Sequence, residues 1–205
     1  MLITWYGHSC FKVDGVQCSA VFDPYEPGYV PGFTLPDISA DYCFCSHGHG
    51  DHNYKKGVHI SDDPPAMNWF SIDTFHDEKQ GSLRGTNQIT VVEIDNKRIA
   101  HMGDIGHVLS EEQIDALGSI DVLLIPVGGY YTVDAPTAKN IVDEIRPKIT
   151  VPMHYRGEGF GFDVIAPLEA YTSLCDDVVE INGHAFDPDT IESPATIVLI
   201  PPTDN

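Results

Sequence analysis

The first quarter of the chain carries short apolar or alternating runs, Leu2–Tyr6, Cys10–Val13 and Gln17–Phe22. Side chains of an extended strand point to opposite faces in turn, so these runs predict β-strands. Asp14-Gly15, between the second and third runs, supplies the residues of a tight hairpin turn. Pro24, Pro27, Gly28, Pro31, Gly32 and Pro36 then break the pattern and predict a loop. Tyr42–Cys45 is a short apolar strand, and Trp69–Phe75, Ile89–Ile94 and Arg98–Met102 follow, the last two joined through Asp95-Asn96-Lys97.

The second half changes period. Ser110 is placed to cap a helix running to about Leu117. Val122–Ile125 has the continuous apolar character of a buried strand. From Asp134 to Ile145, apolar Ala138, Ile141, Val142 and Ile145 recur at helical spacing, with Pro136 in the first turn. Ile149–Val151, Val178–Ile181 and Thr196–Ile200 read as strands and Leu168–Leu174 as a short helix. Strands first, then strands alternating with helices, predict an α/β protein with sheets covered by helices.

At 205 residues the chain is expected to form one domain with a substantial core. Hydrophobic residues at 42% and charged residues at 20% fit a globular protein. No apolar run approaches the ~18 residues of a bilayer span. The amino terminus lacks the basic region and cleavage site of a signal peptide, so a cytoplasmic protein is expected. The 31 acidic against 11 basic side chains give a net charge of −20, which repels phosphate backbones and anionic lipids. Neither nucleic acid nor membrane is therefore expected as a partner, and solubility is the preferred reading of the charge. Cys10, Cys18, Cys43, Cys45 and Cys175 form no CxxC pair and read as reduced thiols. Cys43 and Cys45 share one strand face, where packing is preferred over zinc ligation. A homo-oligomer is compatible with the sequence, which does not specify one.

The chemistry collects behind the strands. His47-Gly-His49-Gly-Asp51-His52 follows Tyr42–Cys45, His76 follows Trp69–Phe75, Asp104 follows Arg98–Met102, and His154 follows Ile149–Val151. Active sites of α/β sheets gather at carboxyl strand ends, so four separate segments are expected to converge. Histidine and aspartate are ligand types that zinc accepts. His47 and His49, two apart in an extended turn, are expected to face one ion; Asp51 and His52, beyond the turn at Gly50, face a second. Gly48 and Gly50 are expected to keep the backbone free of side chains at the metals.

The run from His47 to His52 resembles the signature of the metallo-β-lactamase superfamily. Phe75-His76, Gly103-Asp104 and Pro152-Met153-His154 resemble its remaining ligand motifs, in the same order. Gly7-His8-Ser9, Asp23-Pro24, Arg84-Gly85-Thr86-Asn87 and Pro126-Val127-Gly128-Gly129 add to the likeness. Together they resemble small bacterial and archaeal metal-dependent hydrolases related to ascorbate-6-phosphate lactonase. The resemblance runs from about Trp5 to Tyr155. It implies an αβ/βα four-layer sandwich and two divalent ions, Zn²⁺ first, with Mn²⁺ or Fe²⁺ as alternatives. It assigns one ion to His47, His49 and His76, the other to Asp51, His52 and His154, and makes Asp104 the bridge. The implied nucleophile is a hydroxide between the metals, with Asp51 as the catalytic carboxylate that orients it. Two divalent ions, two carboxylates and a hydroxide leave a formal charge of about +1, which suits a small anionic ester, lactone or phosphodiester. The alternative on the same fold is a mononuclear iron dioxygenase acting on a thiol or persulfide.

Four further residues are substrate-binding candidates: His8, Arg84, Asn87 and Tyr155. His8 has an even alternative as a satisfied histidine at a strand turn. Arg84 sits in a Gly-rich loop and is suited to bidentate recognition of a carboxylate or phosphate. His59 competes with His76 for the first metal, and His76, at a strand end, is preferred. His101 and His107 read as structural or exposed and His184 as surface. Tyr131 and Thr132 read as a helix-capping turn, with a pocket role as the alternative.

Overall fold

Main-chain pairing in the computed structural model, which describes residues 1–202, forms three sheets. The first joins β1 (Leu2–Trp5), β2 (Phe11–Asp14), β3 (Ser19–Phe22), β5 (Tyr42–Phe44) and β13 (Ala185–Phe186) in the order β13-β1-β2-β3-β5. A two-stranded sheet pairs β4 (Ile38–Ala40) with β6 (Val58–Ile60). The largest has seven strands. It contains β7 (Asn68–Phe75), β8 (Thr86–Ile94), β9 (Lys97–His101), β10 (Val122–Pro126), β11 (Ile149–Met153), β12 (Val178–Ile181) and β14 (Ala195–Leu199). Its order is β12-β14-β11-β10-β9-β8-β7. The helices are α1 (Glu111–Leu117), α2 (Ala135–Ile145) and α3 (Glu169–Thr172). This is the expected sandwich of mixed α/β type. No helix among the described residues is long and apolar enough to cross a membrane.

Local chemistry explains the elements. Every residue of β10 is buried, as a central strand between β9 and β11 requires, and this is why it lacks alternation. α1 begins in a capping box: Gln113 N–H donates to Ser110 Oγ, and Ser110 N–H donates to Gln113 Oε1. α2 is capped by Asp134, which accepts from Thr137 N–H, and buries Ala135, Ala138, Ile141 and Ile145. The core lies between the two large sheets. The Phe22 ring of β3 stacks on His101 of β9 at 5.2 Å and 5°. His101 is buried and neutral in role: Nε2–H donates to Ser9 O at 2.9 Å, while Nδ1 accepts from Gly103 N–H.

Direction positions the site. β9, β10, β11, β14 and β12 run parallel, and β7 regains that direction across antiparallel β8. The carboxyl ends of β7, β9 and β11 therefore share one end of the large sheet. β3 and β5, parallel in the smaller sheet, carry Asp23 and the histidine-rich loop at their own carboxyl ends. β4 and β6 fall in stretches with no expected element, because three residues are too few for periodicity to register. The same holds for β13, two residues long.

Candidate metal centre

Asp23 organises the histidine-rich loop from below. It is buried, leaves β3 at φ +44°, and accepts from Ser46 N–H at 2.7 Å and Ser46 Oγ–H at 2.6 Å. His52 Nδ1 lies 2.7 Å from the same carboxylate. An imidazole nitrogen facing a carboxylate carries its proton there, leaving His52 Nε2 as the nitrogen offered to a metal. Ser46 Oγ, its proton committed to Asp23, accepts from His47 Nδ1 at 2.9 Å. One buried carboxylate thus fixes the tautomers of two histidines. His76 follows the same rule by another route, since its Nδ1 donates to Tyr131 O at 3.1 Å.

The released Nε2 atoms converge on Asp104. Its Oδ2 lies 3.2 Å from His76 Nε2 and 3.3 Å from both His52 Nε2 and His154 Nε2. His47 Nε2 is 4.0 Å away. Asp104 is itself held by Asn87, whose Oδ1 accepts from Asp104 N–H at 2.9 Å. Around this carboxylate, which itself groups with His47 and His52, the donor atoms form two further groups. His47, His49 and His76 make one; Asp51, His52 and His154, joined by His8, make the other, with donor atoms inside 4.8 Å of one another in each. The Nε2 atoms of His47, His52 and His154 and one oxygen each of Asp51 and Asp104 are buried without a hydrogen-bond partner. Buried polar groups are rarely left so. Ligands on a tetrahedral cation at ~2.0–2.1 Å lie about 3.4 Å from one another, close to the spacings around Asp104. The donor set, its separations and its orphaned atoms all fit divalent ions.

The charge balance agrees. Burial, then repulsion from His52, lowers the His47 pKa to about 3, so it stands neutral as a ligand must. His52 differs: burial opposes its charging, but Asp104 and Asp23 outweigh it and raise its pKa well above the ordinary value, so in the metal-free chain its Nε2 holds a proton that a bound ion would displace. Asp104 is held well below the usual carboxylate range: burial alone would raise it, and His154 and His52 reverse the sign. Asp51 is lowered in the same way, by His8 and His52 against burial.

Other expectations land elsewhere. His59 is exposed on β6, away from the donor groups. Asn87 is fully buried, its amide donating to Thr74 Oγ1 and Met102 O, so it holds the Asp104 loop and is not free to meet a substrate. Tyr155 is buried in an aromatic cluster with Trp5 and Phe160, which replaces its expected place at the rim. His8 is buried beside Asp51 and His154 and is absent from the pocket wall, so the substrate contact expected of it is withdrawn. His107 is structural, its Nε2 accepting from Phe75 N–H, and His184 is exposed. Nothing stands within 4 Å of a Cβ built on Gly48, while one on Gly50 meets the Tyr29 ring at 2.5 Å. The glycine at position 50 therefore makes room for Tyr29, and the reason given for Gly48 fails.

Above the donors opens a cavity of about 280 Å³, with His49, Asp51, His76 and Asp104 at its base. Tyr29, Arg84, Tyr131 and Phe162 form its walls. The Arg84 guanidinium lies over the Tyr131 ring, 5.9 Å from its centre. Asp77 fixes this wall: its carboxylate accepts from the N–H groups of Lys79, Gly81, Leu83 and Arg84, closing the loop that carries the arginine. No motif or spacing in the sequence marks Asp77, Ser46, Tyr29 or Phe162, and Asp23 stands out only within a motif. Asp23 was within reach, because it too ends an apolar strand. A larger hollow of about 540 Å³ near Arg146, Lys148 and Tyr171, at the opposite end of β11, has no histidine in its lining.

Comparison with known proteins gives the family. Residues 2–154 match the family described as the β-lactamase superfamily domain. A UPF0173 metal-dependent hydrolase of Alkaliphilus metalliredigens is 31% identical over 197 residues, covering 76% of this chain and 85% of the relative. One from Archaeoglobus fulgidus is 27% identical over 193 residues, covering 76% and 83%. Among solved structures, a Thermotoga maritima protein assigned as a Zn-dependent hydrolase of the metallo-β-lactamase superfamily superposes with a TM-score of 0.77. It is 30% identical, with 97% of both chains covered. A metallo hydrolase of Ignicoccus hospitalis shares the fold, with a TM-score of 0.60 at 19% identity over 99% of this chain and 96% of that one. The chain belongs to the metallo-β-lactamase superfamily and is a metal-dependent hydrolase.

Proposed function

We propose that this superfamily member is a dinuclear hydrolase of small anionic esters, lactones or phosphodiesters. The observation that carries the reading is Asp104 Oδ2, which stands at 3.2–3.3 Å from histidines of both donor groups, as a bridging carboxylate would. His47, His49 and His76 would hold one ion and Asp51, His52 and His154 the other, with Zn²⁺ the first candidate for this N/O donor set. Bound divalent ions supply hydroxide at neutral pH by lowering the pKa of water to about 7, and a Lewis-acid contact for the substrate oxygen. The chain's own residues do the rest. Asp51 is at the cavity base with one carboxylate oxygen lacking a partner, placed to accept a proton and pass it to a leaving group. Arg84 is the cationic side chain in the wall and would pair with a carboxylate or phosphate on the substrate. Tyr29, Tyr131 and Phe162 line the cavity beside it with aromatic surface.

The test joins metal analysis to turnover. Protein purified without added metal should contain about two equivalents of Zn or Mn and hydrolyse members of a panel of lactones, phosphodiesters and thioesters. Asp51→Ala should lose at least a hundredfold in kcat with the fold retained. A single iron with oxygen consumption on a thiol substrate, or unchanged turnover in the Asp51 variant, would refute the proposal.

A further inference from the structure

His8 is not part of the cavity lining but packs edge-on against the wall residue Phe162, ring centres 5.5 Å apart, and the resemblance that orders the other histidines gives it no ligand role. We propose that His8 is a direct ligand of the second ion, giving that ion three imidazoles; the inference rests on the dinuclear reading. Residue 8 is 1% exposed, and neither of its ring nitrogens has a hydrogen-bond partner. Its Nε2 lies 3.5 Å from Asp51 Oδ2, and His52 Nε2 lies 3.6 Å from the same oxygen. The two nitrogens thus stand alike toward Asp51. Both distances exceed an ordinary N–H···O bond and match the separation of two atoms on a common cation, about 3.4 Å. The His8 and His154 rings are 4.1 Å apart between centres, which keeps the two imidazoles side by side. Four donor atoms, from His8, Asp51, His52 and His154, lie within 4.8 Å of one another.

The backbone supports a purpose for this placement. His8 holds φ +53°, a left-handed conformation uncommon outside glycine, asparagine and aspartate. Trp5 fixes it there, its indole N–H donating to His8 O at 2.9 Å. A strained, buried imidazole with two idle nitrogens is costly unless it binds something. Ligation by His8 makes the two sites unequal. The second then has three histidines, Asp51 and a share of Asp104. The first has three histidines and the other share, with exposed His49 beside the open cavity. The second site is the tighter, and the first is left to meet the substrate.

Chelator competition on zinc-loaded protein tests this. Wild type should release two equivalents with affinities separated by tenfold or more. His8→Asn keeps a residue that tolerates the left-handed backbone but is too short to reach the ion. It should weaken the tighter site at least tenfold and leave the other within threefold. ¹¹³Cd-loaded wild type, labelled with ¹⁵N-histidine, gives a reading that needs no variant: three coupled imidazoles at each ion support ligation by His8. Two at one ion overturn it, as does a variant whose affinities are both unchanged. A wild type that holds a single ion refutes the dinuclear reading itself, whereas two ions with five coupled imidazoles leave that reading standing and reject only the role of His8.

Discussion

Asp23 touches no proposed ion, yet its replacement should weaken both sites. Asp23→Asn is the informative change, because asparagine tolerates the φ of +44° found there and keeps the side-chain shape. The aspartate accepts three hydrogen bonds of 2.6–2.7 Å, from Ser46 N–H, Ser46 Oγ–H and His52 Nδ1–H. An amide cannot serve all three. With its oxygen toward His52, its NH₂ opposes the Ser46 N–H. With its NH₂ toward His52, the imidazole must move its proton to Nε2 and forfeit the lone pair. Loss of such an orienting partner costs 10–100-fold in metal affinity, or about 1.4–2.8 kcal/mol. Because Ser46 relays Asp23 to His47, the loss should appear at both ions. In metal-free protein, loss of one charge-assisted bond should destabilise the fold by roughly 1.5–3 kcal/mol.

The pH dependence of that loss has a definite sign. Burial alone would raise the Asp23 pKa, but His101 and His52 bring it below the ordinary value. A depressed carboxylate contributes stability above its unfolded pKa of about 3.9, and the contribution disappears as pH falls through the folded value. The gap in unfolding free energy between wild type and variant should therefore be full at neutral pH and close on acidification below about pH 4. Chelator competition and urea unfolding of metal-free protein from pH 7 to pH 3 measure both effects. Affinities within threefold of wild type at both sites, or a gap that widens in acid, would refute the reasoning.

Arg84→Gln should raise KM about tenfold for substrates with a fixed negative charge, with kcat little changed and neutral isosteres unaffected; an equal change on both classes removes the anion-recognition role. Asn87→Ala leaves Asp104 N–H, Met102 O and Thr74 Oγ1 short of partners in the core, so metal-free protein should lose about 2–4 kcal/mol and zinc affinity should fall with it. A loss under about 1 kcal/mol in urea unfolding contradicts that accounting.

Much of the large sheet, and the residues that converge on Asp104, were legible because each signal was local. Val122–Ile125 is apolar throughout, and the helix from Asp134 carries its cap, its proline and its apolar face within twelve residues. The candidate ligands were legible because each stands at the end of such a run. Asn87 and Tyr155 were misplaced for one reason: a polar residue next to a motif reads as pocket, while tertiary packing decides whether its polar atoms are spent inside. Asn87 is used up by three partners drawn from β7 and the loop after β9, and no spacing in the sequence announces that. The role of Asp23 depends on β3 lying parallel to β5, so that two carboxyl ends meet; pairing order is not a property of either strand alone.

That meeting has a consequence for stability. His8, His47, His49, Asp51 and His52 come from turns of the smaller sheet, and His76, Asp104 and His154 from the larger one. Ions held by these groups would tie the two sheets together at one end. Without them, buried donor atoms of these histidines and carboxylates are left short of hydrogen-bond partners. Binding to the folded state alone stabilises it by about 2.7 kcal/mol for each site at a free ion concentration of 100 Kd. Chelation should accordingly lower the melting temperature by several degrees, and zinc should restore it in proportion to the logarithm of its free concentration. Because the donors span both sheets, near- and far-ultraviolet circular dichroism should lose signal together as the chelated protein melts. A melting temperature that ignores chelation, in protein shown by analysis to have lost its metal, would mean that the sheets hold this geometry without help from the ions.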